Sequence, residues 1–143
     1  MTINQLSVFI ENKSGKLLKV LNSLKEANIQ ILATTIADTP EYGICRIICD
    51  NPELACKVLR DQSVSVNISK VFALMLDNQP GAAATAMQTF ADQDIDIKYF
   101  YAFHIGGKGV LLFRTNDEER TRQVITVKNL PYVCNDELAK MQF

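Results

Sequence analysis

Two short polar turns hold the spacing in this chain best suited to capturing a small molecule. The first reads Glu11-Asn12-Lys13-Ser14-Gly15-Lys16-Leu17, the second Asp77-Asn78-Gln79-Pro80-Gly81-Ala82-Ala83. Each follows a β-rich apolar run and opens a segment with helical patterning. A helix start carries unpaired N–H groups and partial positive charge. A glycine there removes the Cβ that would block an approaching group, and the combination suits a carboxylate. The side-chain amide of Asn12 or Asn78 offers a donor and an acceptor beside it. A free amino acid asks for that set: donors for its carboxylate, acceptors for its ammonium. Read as scaffold instead, the glycines are turn residues and the asparagines cap the turn through bonds to nearby backbone.

Other chemistry is poorly supplied. His104 is the one histidine, and it precedes a glycine turn as an ordinary strand-end residue. No Ser/His/Asp, Cys/His or metal-ligand constellation stands out, so no catalytic residue, metal or cofactor is expected. The four cysteines are Cys45, Cys49, Cys56 and Cys134. Cys45 and Cys49 share one face of an expected strand, about 13 Å apart at ~3.3 Å per residue. That is too far for a disulfide or a shared tetrahedral metal, and both read as small buried apolar groups.

The turns belong to a repeat. Gly15 and Gly81 lie 66 residues apart (81 − 15), and the same shift carries Gly43 onto Gly109, Asn12 onto Asn78, Ile29 onto Ile95 and Val58 onto Val124. Two copies are expected, 1–69 and 70–143. A unit of roughly 66 residues buries only about 60% of its unfolded surface, so each copy should lean on the other or on a second chain.

Each copy reads as strand, helix, two strands, helix, strand. In the first, Gln5–Ile10 is a strand and Lys16–Ala27 a helix with Ser14 as its cap. Ile29–Ala37 and Ile44–Cys49 are strands, and a helix capped by Asp50 runs to about Arg60. Val64–Ile68 closes the copy. In the second, the strands are Lys70–Leu76, Ile95–Ile105, Val110–Thr115 and Tyr132–Cys134. The helices are Ala82–Ala91 and one capped by Asn116 that runs to about Lys128, with a helical turn in the tail from Asp136. The expected class is α+β: two ferredoxin-like βαββαβ domains in tandem, each a four-stranded antiparallel sheet with two helices on one face. Runs such as Val71–Leu76 and Ile44–Cys49 are apolar on both faces, which predicts burial on both sides and makes a homodimer the economical cover. Ala82–Ala86 reads equally as simple helix propensity or as a place for close packing.

Net charge −1 and pI ≈ 5.8 offer none of the basic footprint of a nucleic-acid binder. Lys13, Lys16 and Lys19 read as a solvated helix face. No apolar run is long enough to span a membrane, no signal-peptide pattern opens the chain, and a cytoplasmic protein is expected.

The pattern of strand, N-x-[PS]-G-x-[LA], helix, then N-I-x-I or D-I-x-I resembles the ACT domain, over essentially the whole chain as two copies. VFIENKSGKLLKVLNSLKEANIQI is similar to the opening of acetohydroxyacid synthase regulatory subunits and to the serine-sensing domain of phosphoglycerate dehydrogenase. The resemblance implies the βαββαβ fold and allosteric binding of an amino acid. It also implies an effector held by the turn asparagine and a polar residue at the start of the second strand, here Asn12 with Gln30 and Asn78 with Asp96. Where the dehydrogenase pattern has a histidine two residues before the asparagine, this chain has Ile10 and Leu76, and Ser14 replaces the usual proline that Pro80 keeps.

The expected ligand-binding residues are therefore Asn12, Lys13, Ser14, Gly15, Lys16, Leu17 and Gln30 in the first copy, and Asn78, Gln79, Pro80, Gly81, Ala82 and Asp96 in the second. Two readings stay open: a non-catalytic sensor of a free amino acid at a domain or subunit interface, or an effector-independent regulatory subunit of a metabolic enzyme.

Overall fold

The computed structural model describes residues 1–11, 13–38 and 40–141. They form β1 (Thr2–Glu11), α1 (Lys16–Glu26), β2 (Ile31–Asp38), β3 (Tyr42–Cys49), α2 (Pro52–Asp61), β4 (Val66–Asp77), α3 (Ala82–Ala91), β5 (Ile97–Ile105), β6 (Lys108–Thr115), α4 (Glu118–Val127) and α5 (Asn135–Lys140). The architecture is α+β, and the paired strands reported below are antiparallel. Two compact units are present. One spans Asn4–Lys70; the other joins Met1–Ile3 to the chain from Val71 onward.

In the first unit β3 lies between β1 and β2. The approach to β4 runs beside β1, where the Phe9 N–H donates to the Ser65 carbonyl at 3.0 Å. In the second, β6 lies between β4 and β5. The registers repeat at the spacing of the glycines. Val8 faces Cys45 as Leu74 faces Leu111, and Ile36 faces Cys45 as Ala102 faces Leu111. Even the irregularities coincide, a register shift between Ile31 and Ala33 and another between Ile97 and Tyr99. Left-handed backbone recurs in the same way at Gly15 and Gly81, Asn28 and Asp94, and Ser63 and Asn129.

Each unit has its own core. Leu6, Val20, Leu24, Ile47 and Leu59 centre the first. Phe72, Phe90, Leu111, Phe113 and Ile125 centre the second. There Phe113 meets Phe90 at 5.1 Å and Phe72 at 5.6 Å between ring centroids, within the range where aromatic pairs add to area burial. Cys45, Cys49 and Cys56 are buried free thiols within the first core, as small apolar groups would be.

Several boundaries differ from expectation. The strands expected at Val64–Ile68 and Lys70–Leu76 are one strand, β4. No glycine or proline interrupts the sequence between them, so nothing forces the ladder to stop. The closing strand expected at Tyr132–Cys134 shrinks to a single bridge between Tyr132 and Leu74. Pro131 beside it has no N–H to extend the ladder, and its carbonyl accepts from the Met75 N–H at 2.8 Å. Among the described residues there are thus six strands rather than eight.

The caps also move. Gly15, not Ser14, is the N-cap residue of α1. Asn51, not Asp50, caps α2 by accepting from the Leu54 N–H at 3.2 Å. Asp117, not Asn116, caps α4 by accepting from the Arg120 N–H at 3.0 Å. The continuous apolar runs of β4 and β6 are buried on both faces: Val71–Leu74 and Val110–Phe113 are all buried within one chain. These strands therefore need no second chain to cover them. The most exposed large apolar side chains on the described strands are Phe100 of β5 (54%) and Ile36 of β2 (50%). On α3, Ala83 and Ala84 are exposed while Ala86 is buried.

Removing a capping side chain costs roughly 1 kcal/mol. Asn51→Ala and Asp117→Ala should each lower unfolding free energy by about that amount in urea titrations, whereas Ser14→Ala should leave it within ~0.5 kcal/mol, as for an uninvolved surface position.

Candidate functional site

The turns after β1 and β4 have one geometry. Gly15 sits at φ 84°, ψ −10° and Gly81 at φ 84°, ψ −3°. A side chain in this region costs about 1–2 kcal/mol. A Cβ built on either glycine meets nothing within 4 Å, so backbone conformation rather than crowding requires glycine. The hydrogen bonds match atom for atom. Lys13 N–H donates to Glu11 O at 2.7 Å and Gln79 N–H to Asp77 O at 2.8 Å. Lys16 N–H donates to Lys13 O and Ala82 N–H to Gln79 O, both at 3.2 Å. Lys19 N–H donates to Gly15 O and Thr85 N–H to Gly81 O, both at 3.0 Å.

Among the described residues no side chain caps α1 or α3. The Lys16 and Ala82 N–H groups are held by the turn, which leaves the next two amides of each helix, at Leu17–Leu18 and Ala83–Ala84, without an intrahelical partner at the positive end of the helix dipole. Lys13, Ser14, Gly15 and Lys16 are exposed and Leu17 half-buried. Asn78, Gln79, Pro80 and Gly81 are exposed and Ala82 half-buried. Asn12, an expected ligand residue, lies outside the described residues.

Gln30 and Asp96 sit elsewhere. They follow the far ends of α1 and α3, helices of 11 and 10 residues, or about 15–16 Å at ~1.5 Å per residue. Neither unit brings its turn and its second-strand start into one pocket. Both residues are held locally. Gln30 N–H donates to Asp50 Oδ1 at 3.0 Å and Asp50 N–H returns to Gln30 O at 3.1 Å. Asp96 N–H donates to Asn116 Oδ1 at 3.0 Å and Asn116 N–H to Asp96 O at 3.1 Å, while Asn116 Nδ2 donates to Asp96 Oδ2 at 3.3 Å. This clasp is why Asp50 and Asn116 are not helix caps: their side chains are already engaged across the chain.

Beside α1 and the end of β1 lies a cavity of about 390 Å³, at the small end of the roughly 300–1,000 Å³ range of ligand pockets. Among the described residues expected to bind ligand in the first copy, Lys16 lines it, and Lys13, Ser14, Gly15, Leu17 and Gln30 do not. Lys16, Lys19 and Val20 of α1 line one side and Phe9 and Glu11 of β1 another. Tyr42 and the connection Gln62–Ser65 complete it. Phe9 and Tyr42 are 39% and 43% exposed, with ring centroids 6.3 Å apart and planes tilted 58°. The Glu11 carboxylate pairs with the Lys13 ammonium at 3.1 Å. Hydrogen bonding and charge from Lys13, helped by Lys16, hold Glu11 below its ordinary pKa. Phe9, Tyr42, Ser63 and Ser65 were not among the residues the sequence singled out. They come from three separate segments, and only the fold assembles them. In the second unit a wider hollow of about 730 Å³ lies between Met87 and Ala91 of α3 and Tyr99 and Phe100 of β5, with Asp96 at its margin. None of the second turn's expected ligand residues except Asp96 lines it.

The core thiols are poorly placed for chemistry. Burial pushes the Cys45 thiol up, despite a hydrogen bond with Thr34, and burial with the nearby Asp50 and Glu53 charges pushes Cys49 up to about 11. Among the described residues no group of three His, Cys, Asp or Glu is placed to hold a metal, and no helix is long and apolar enough to cross a membrane.

The repeated registers and the paired glycine turns define a tandem α+β protein built from two copies of one small fold. The chain belongs to the ACT domain pair family, whose model matches residues 1–142. A Bacteroides thetaiotaomicron protein of known crystal structure is similar at 32% identity, with 99% of this chain and 98% of that one covered and a TM-score of 0.90. The regulatory subunit of aspartate kinase from Thermus thermophilus, in its ligand-free form, shares the fold at 14% identity. That likeness covers 87% of this chain and 90% of that one, with a TM-score of 0.60. The corresponding Thermus flavus subunit shares it at 13% identity, with coverages of 88% and 90% and a TM-score of 0.57. No curated protein matches the sequence.

A thiol whose folded-state pKa lies above its unfolded value stabilises the fold below the unfolded pKa, and that contribution is lost as pH rises through the folded one. Stability should therefore fall between about pH 9.0 and 11 on account of Cys49. Cys49→Ala should flatten part of that slope in urea titrations at stepped pH. In the native protein Cys134, the one cysteine that is not fully buried, should react with a thiol reagent well before the other three.

Proposed function

We propose that this protein is a non-catalytic, cytoplasmic regulatory module that senses a free amino acid at the turns after β1 and β4. The observation that carries the reading is the pair of glycine-capped helix starts. Both have the same left-handed backbone and the same internal hydrogen bonds, and among the described residues neither has a side-chain cap. A structural turn needs the glycine. It does not need the helix amides left open in both copies, and open amides are what a carboxylate takes.

The ends of α1 and α3 are too far apart for Gln30 or Asp96 to reach the turn of the same unit. If they take part in binding, a second chain brings them, and the exposed edge strands β2 and β5 supply the means of a homodimer. Ligand binding then shifts the packing of the subunits, and through it the affinity for a partner such as a metabolic enzyme. That the Thermus thermophilus protein is a regulatory subunit of aspartate kinase supports the general reading and does not supply the partner here.

A second reading has one observation in its favour. Phe100 stands 54% exposed on β5, which suits an interaction subunit that needs no effector.

A ligand that binds only the folded state stabilises it by about 2.7 kcal/mol at a hundred times its dissociation constant. At least one of the twenty amino acids at millimolar concentration should raise the melting temperature by several degrees. No shift with any of them would remove the sensor reading and leave the effector-independent one.

A further inference from the structure

The two copies share a backbone and differ in the charge they present at it. At the first turn, Lys16 and Lys19 line the cavity; the residues at the same register in the second copy are Ala82 and Thr85. Lys13 there becomes Gln79, and Tyr42 becomes Lys108. The first cavity therefore sets two ammonium groups one helical turn apart on α1, on the same face, opposite the hydroxyl-bearing Ser63 and Ser65. Its one carboxylate, Glu11, is already paired with Lys13 at 3.1 Å. The cationic excess falls at a concave site beside the positive end of α1, where charges act over a shorter path through water than on an open face.

We propose that the first cavity selects small ligands of net negative charge carrying two carboxylates, while the second turn has no such preference. Among amino acids the class is L-aspartate and L-glutamate. One carboxylate lies between Lys16 and Lys19 and the other at the hydroxyls of Ser63 and Ser65. Phe9, Tyr42 and Val20 pack the short methylene chain. A neutral amino acid leaves the two ammonium groups uncompensated, and a basic one adds repulsion. The inference rests on the reading of the turns as ligand sites and adds what the first of them takes.

The test is amide NMR titration of the full-length protein with L-glutamate, L-aspartate, L-serine, L-leucine, L-lysine and succinate, each at constant ionic strength. The expected result is saturable shifts from the acidic amino acids at Lys16, Lys19, Ser63 and Ser65. Neutral and basic amino acids should bind there at least tenfold more weakly. Lys16→Gln with Lys19→Gln, two exposed positions, should weaken the acidic ligands at least tenfold while leaving the rest of the spectrum in place. Equal or tighter binding of serine or leucine at these residues overturns the charge selectivity and leaves the sensor reading intact. Acidic binding that is unchanged in the double variant overturns the assigned role of the lysines. Succinate binding that depends on the lysines, with no amino acid bound at either turn, supports the dicarboxylate site and sinks amino-acid sensing. No response to any probe overturns the dicarboxylate site, and the sensor reading then stands or falls on the melting test with all twenty amino acids.

Discussion

A single conformational requirement organises each half of this molecule: the chain must pass from a strand into a helix through one residue in left-handed backbone. Only glycine does this cheaply. Once Gly15 and Gly81 take that conformation, the helix begins at the next residue, whose N–H is held by the turn, and a glycine at the cap position has no side chain to satisfy the amides that follow. The packing of α1 and α3 over their sheets, the cores centred on Leu24 and Phe90, and the open helix starts all follow from the same turn. Structure and site are in this sense one feature seen from two sides.

Much of this was legible in the sequence because a repeat multiplies weak signals. A lone glycine after a strand says little, but two at one spacing, each followed by helical periodicity, specify the turn twice. The elements and their order followed from the same alignment. What failed were choices between adjacent polar residues. Asp50 and Asn116 look like helix caps, and so do Asn51 and Asp117 beside them. The choice was made by residues twenty positions upstream, Gln30 and Asp96, whose backbones claim the first of each pair. Local reading has no access to such a partner. The merging of two expected strands into β4, and the loss of the last strand at Tyr132, have the same character. Strand ends depend on what lies alongside them.

The geometry of the candidate site was only partly legible. The glycine turns were identified, and their geometry is as regular as the repeat suggested. The residues that give the first turn a cavity were invisible, since Phe9, Tyr42 and Ser63 belong to three segments that only the fold assembles. In the sequence Lys13, Lys16 and Lys19 read as a solvated helix face, with Lys13 and Lys16 also among the expected ligand residues. All three are exposed, Lys13 pairs with Glu11, and Lys16 and Lys19 also line the cavity. Conversely, the backbones of Gln30 and Asp96 clasp the next segment, and the Asp96 carboxylate joins its clasp by accepting from Asn116 Nδ2, a local task that needs no ligand.

The most direct test of the account is amide hydrogen exchange at Lys16–Leu18 and Ala82–Ala84, measured with and without a mixture of the twenty amino acids. If the open helix starts are the binding elements, exchange at one or both segments slows when ligand is present, while β3 and β6 in the cores change little. Unchanged exchange at both segments, with slowing confined to other parts of the chain, would contradict the claim that these turns hold the ligand.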